Sequence, residues 1–80
     1  MSFMFEVYYQ APVDREREGK ITAVVARLGG LLDCREDPAE GGAGAVCLTY
    51  EFDELEPARV AADSLRQQGD HVEGPVSYGP

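Results

Sequence analysis

The sequence predicts an α+β fold, a two-layer sandwich with two helices on one face of a four-stranded antiparallel sheet, in chain order βαββαβ. Three observations predict it. The stretches Phe3 to Gln10 and Ala45 to Phe52 alternate apolar and polar residues with a period of two. Two other stretches repeat apolar residues at helical spacing. Each helical stripe ends in glycine and runs into a further short strand, so the chain divides into two strand–helix–strand halves.

In the first strand Phe3, Phe5, Val7 and Tyr9 point one way, and Met4, Glu6, Tyr8 and Gln10 the other. Ala11-Pro12-Val13 breaks it, because proline cannot continue a central strand. Asp14 can cap a helix through its carboxylate, and Glu16 and Glu18 suit the positive end of that helix. Ile21, Val24, Val25 and Leu28 share its apolar face. Gly19 lies off that stripe and weakens the first turns by about 1 kcal/mol relative to alanine. Gly29-Gly30 ends the helix. Leu31 to Arg35 reads as a short strand, with Leu32 and Cys34 inward and Asp33 and Arg35 toward water.

Glu36 to Gly44 has no apolar period and reads as a flexible hairpin loop. In the third strand Val46, Leu48, Tyr50 and Phe52 face inward, and Ala45, Cys47, Thr49 and Glu51 outward. A second helix is expected to start at Pro57, since proline at the first helical position sacrifices no hydrogen bond. Ala58, Ala61, Ala62 and Leu65 form its stripe, and Gly69 stops it. Val72, Val76 and Tyr78 mark a last strand. Gly74-Pro75 interrupts it, which is tolerable on an edge or at a bulge.

Each half requires a right-handed crossover, and the middle connection is a hairpin. Both stripes then cover one sheet face, with the strands in the order 4-1-3-2. The first and third strands, which carry the strongest apolar faces, become central. The pattern resembles the ferredoxin-like superfold over its whole length, 1–80, as a single domain. The resemblance is one of element order and periodicity.

Fifteen acids against seven bases give a net charge of −8 on 80 residues. That field repels phosphate backbones and anionic membrane surfaces, and it suits basic partners. No nucleic acid and no membrane are therefore expected as partners. The start Met1-Ser2-Phe3-Met4-Phe5 has no basic flank and no apolar run of signal-peptide length. No stretch approaches the ~20 apolar residues of a membrane span. The expected compartment is the cytoplasm, where Cys34 and Cys47 would remain free thiols.

No catalytic constellation emerges, and neither a cofactor nor a metal site is expected. RNA-binding domains of this shape stack bases on aromatics of the two central strands, and only Tyr8 is so placed. Acylphosphatase-like enzymes place an arginine in the loop after the first strand, and heavy-metal-binding relatives a CxxC. Ala11 to Asp14 has neither, nor the glycine that regulatory domains of the ACT type place there. Gly41-Gly42-Ala43-Gly44 lacks the lysine and hydroxyl of a phosphate loop. The acids Glu51, Asp53, Glu54 and Glu56 have no calcium-loop spacing and read as helix-start electrostatics. His71 reads as a solvated histidine. A Cys34–Cys47 disulfide is disfavoured, because the two thiols are assigned to opposite sheet faces.

The candidate site is the open sheet face: Met4, Glu6, Tyr8, Gln10, Cys47, Thr49 and Glu51, with Asp33, Arg35, His71, Glu73 and Ser77 toward its edges. A solvated face and a protein interface both fit this mixture. The leading expectation is a small acidic nonenzymatic interaction module. It would self-associate, as a homodimer, through this face or an edge strand. One alternative is an acidic regulatory module that binds a basic protein. Another is a small ligand-binding or enzymatic domain with Tyr8, Glu6, Cys47 and His71 around a pocket.

Overall fold

The structure, a computed structural model, describes residues 1–38 and 44–79. The elements run β1 (Ser2–Gln10), α1 (Arg15–Arg27), β2 (Leu31–Glu36), β3 (Ala45–Phe52), α2 (Leu55–Gln67) and β4 (His71–Tyr78). They form one antiparallel sheet in the order β2-β3-β1-β4. This is the ferredoxin-like α+β sandwich. The loop expected over 36–44 is only partly visible here: β2 continues through Glu36, and 39–43 lie outside the described residues.

The core lies between the sheet and the helices. Phe5, Val7 and Tyr9 of β1 meet Val46, Leu48, Tyr50 and Phe52 of β3, and all seven are buried. Beneath them lie Ile21 and Val25 from α1 and Ala58, Ala61, Ala62 and Leu65 from α2. The alternation of β1 and β3 thus fixes which face the helices cover, since slipping by one residue would turn every apolar side chain to water. Tyr50 carries its hydroxyl into this core and hydrogen-bonds Thr22 Oγ1 at 2.8 Å.

Both helices end in the same way. The Gly29 and Gly30 N–H groups donate to the carbonyls of Ala26 and Val25, and those of Gly69 and Asp70 to Arg66 and Leu65. This pair of bonds is the Schellman closure. It needs a left-handed residue just past the helix, and Gly29 (φ +93°) and Gly69 (φ +97°) supply it. The Asp14 cap is present: its carboxylate accepts from the Arg17 N–H at 3.0 Å.

Four local expectations need correction. In β2, Leu32 lies opposite Tyr50 while Cys34 lies opposite Thr49, so Asp33 is an extra residue in a bulge. The insertion reverses the alternation after it. Cys34 turns to the open face and is exposed, whereas Arg35, opposite Leu48, turns to the helix side. Leu32 does face the helices but stays 44% exposed.

Glu18 does more than favour the helix start: it turns inward and is buried. α2 begins at Leu55 after Glu54, which puts Pro57 third in the helix. Proline is still harmless there, since the first turn's N–H groups have no partner within the helix. In β4 the register shifts opposite the Met4 to Glu6 segment, at Gly74-Pro75 on the sheet edge. That shift moves Ser77 opposite Phe3, onto the helix side, and puts Val76 and Tyr78 on the open face.

Candidate functional site

Residues directly opposite in an antiparallel sheet share a face, so the registers assemble the open face row by row. The first row is Leu31, Glu51, Met4 and Val76, with Tyr78 beyond it opposite Ser2. The second is Cys34, Thr49, Glu6 and Glu73. The third is Glu36, Cys47, Tyr8 and His71, and Gln10 opposite Ala45 follows. Met4, Glu6, Tyr8, Gln10, Cys47, Thr49 and Glu51 thus share one face. Cys34, Glu36, Val76 and Tyr78 join them in place of Arg35 and Ser77.

The centre of the face is a compact polar cluster. The Tyr8 and His71 rings lie 5.9 Å apart and tilted. His71 Nε2 and Glu73 Oε2 are 3.0 Å apart, so the lone histidine has a carboxylate partner. The Cys47 thiol donates to Glu6 Oε2 at 3.7 Å. Although it faces outward, Cys47 is buried among these neighbours. Loss of water holds its thiol above the usual range, and the Glu6 charge adds to this. Tyr8 is raised in the same way, first by loss of water, then by Cys47 and Glu6. Both groups therefore stay protonated near neutrality, and the cluster supplies hydrogen-bond donors, not a thiolate nucleophile.

The bulge also changes what separates the two cysteines. Cys34 lies opposite Thr49 and Cys47 opposite Glu36, so they are diagonal neighbours on one face. Diagonal positions are typically ~7–8 Å apart between Cα atoms, beyond the usual span of a disulfide.

A second polar group, which the sequence reading did not assemble, sits on the helix side. Arg35 donates to Glu18 through Nε at 2.7 Å and Nη2 at 3.0 Å, and Tyr9 donates its hydroxyl to the same carboxylate. The Tyr9 oxygen in turn accepts the Asp14 N–H at 2.9 Å. The Arg35 bonds, aided by Tyr9, hold the Glu18 carboxyl below its usual range in spite of its burial. Arg35 also reaches Asp37, and Arg17 lies over the Tyr9 ring and bonds Asp70 at 2.9 Å. Every member has a partner, so the group ties β2 to α1 and offers no free valence to a ligand. Its one sequence signal was the spacing of Glu18, three residues before Ile21 on the buried stripe.

These pairings decide the electrostatics of the whole surface. Arg15, Arg17, Lys20 and Arg27 are on α1, Arg59 and Arg66 on α2, and Arg35 turns in to Glu18. These are all seven cationic residues of the chain. None projects from the open face, which carries Glu6, Glu36, Glu51 and Glu73. A depression of about 350 Å³ lies in this face, lined by Met4, Glu6, Glu73, Gly74, Val76 and Tyr78.

Fold and site together define a small ferredoxin-like α+β domain with a free, acidic sheet face. No protein-family model matches the chain, and no curated protein matches it significantly.

Proposed function

We propose that this protein is a small acidic interaction module whose open sheet face binds a basic protein partner. The observation that carries this reading is the sorting of charge: four glutamates and no lysine or arginine on the free face, with all seven of those basic side chains on the helix side. Complementary charge steers a partner to such a face and suppresses wrong ones. Self-association through the same face is disfavoured by that sorting. A two-fold contact would set a face carrying Glu6, Glu36, Glu51 and Glu73 against an identical face, with no lysine or arginine on either. A reaction centred on the Tyr8, Glu6, Cys47 and His71 cluster is disfavoured by the protonated state of Tyr8 and Cys47.

The test is titration with a synthetic peptide of alternating arginine and serine, followed by amide chemical shifts at low and high ionic strength. Binding is expected to weaken with salt and to map onto β1, β3 and β4. Glu6→Gln and Glu73→Gln should each lower affinity by about two- to fivefold at low salt. Absence of binding at low salt, or shifts confined to the helices, would overturn the proposal.

A further inference from the structure

The open face is acidic, but not uniformly so. The row at the start of β1 and the end of β4 is largely apolar: Leu31 is 72% exposed, Val76 52%, and Tyr78 just beyond them 48%. Met4 lies between Leu31 and Val76, with Glu51 beside it. The next row sets Glu6 directly opposite Glu73. Like charges at directly opposed positions weaken a sheet. The groups beside this pair are the Cys47 thiol on Glu6 and His71 on Glu73, and no lysine or arginine reaches it. The depression of about 350 Å³ spans both rows, with Met4, Val76 and Tyr78 on one side and the two carboxylates on the other.

This is the shape and chemistry that a lysine or arginine side chain fits. Its aliphatic stem lies along apolar surface while its charged head reaches beyond. A head between Glu6 and Glu73 would relieve their repulsion. Apolar residues next to it in the partner would cover Val76 and Tyr78 on β4 and, across Met4 and Glu51, Leu31 on β2; exposed apolar side chains gathered on one face mark a contact surface. A small free cation would satisfy the carboxylates and leave that apolar row bare.

Building on the basic-partner reading above, we infer that the partner docks through a mixed segment. One lysine or arginine enters the depression between β1 and β4, and apolar residues beside it cover the row from Leu31 to Val76. The acids supply selection by charge, and the apolar row supplies affinity that salt does not erase.

Three probes of matched charge test this: a peptide alternating arginine with leucine, the arginine–serine peptide, and free spermine. The leucine peptide is expected to bind about tenfold more tightly than the serine peptide, equivalent to about 1.4 kcal/mol. It should move the amide signals of Met4, Val76 and Tyr78 and keep part of its affinity at high salt. Leu31→Ser, in the apolar row but outside the depression, should shrink that preference and leave serine-peptide affinity unchanged, with an unaltered melting curve showing that the fold survives. Equal binding of the two peptides, spermine binding as tightly as the leucine peptide, or a preference undiminished in Leu31→Ser would each overturn the mixed segment while leaving a basic partner in place. Failure of all three probes to bind would overturn both readings.

Discussion

A carboxylate inside a small core is tolerable only where charge and hydrogen bonds meet it, and Glu18, 6% exposed, has both. Arg35 grips it with two nitrogens, and Tyr9 donates a third bond. That arrangement depends on the extra Asp33, without which Arg35 would point to the open face and leave Glu18 uncompensated. Alternation of residue types cannot reveal such an insertion, because an exposed Leu31-Leu32 pair and a turned-in arginine read as ordinary strand noise. A pH dependence follows. The Glu18 pKa is lower in the folded protein than in the unfolded chain, so the pair's contribution to stability is present above the ordinary glutamate value of about 4.3. It is lost as pH falls through that value toward the lower folded one. Glu18→Gln has no such titration. Its melting temperature should lie below the native protein's at neutral pH, and the gap should narrow as melts are run from pH ~5 downward. A gap that stayed constant or widened in acid would contradict the pairing.

The helices and central strands were legible as elements because their residues repeat strictly. Ala58, Ala61, Ala62 and Leu65 are all buried where their spacing puts them, as are Val46, Leu48, Tyr50 and Phe52. Termini were less legible, because several polar residues can begin a helix and proline is free anywhere in the first turn. Glycines divide by what surrounds them. Gly19 is helical and a Cβ there would meet nothing, so Gly19→Ala should raise stability by about 0.5–1 kcal/mol. Gly30, beside the cap at Gly29, is a different case. A Cβ on it would sit 2.5 Å from Val25 Cγ1 and also overlap the Phe52 ring, and both side chains are buried in the core. Gly30→Ala should therefore lower stability by about 1–3 kcal/mol through overpacking. Urea denaturation of the two variants should show shifts of opposite sign. A Gly30→Ala variant no less stable than the native protein would mean that Val25 and Phe52 leave room for a methyl group there.

On the scale of the molecule, net charge was legible from composition, but its distribution between the layers was not. Glu6, Glu51 and Glu73 fall on the open face by simple alternation. That the face carries no cation depends on the single bulge that turns Arg35 away. The same acids stand beside exposed Leu31, Val76 and Tyr78, an apolar group on a sheet with free edges, which is a setting for unwanted association. Charges placed beside such residues keep copies apart. Glu6→Gln/Glu51→Gln/Glu73→Gln removes that repulsion and spares every buried contact of the core. The triple variant should therefore self-associate at concentrations where the native protein sediments as a monomer, and its affinity for arginine peptides should fall at the same time. The two effects share one cause, so they must move together. A native protein that already dimerised through this face at low salt, or a triple variant that remained monomeric, would show that the glutamates do not keep copies of this face apart.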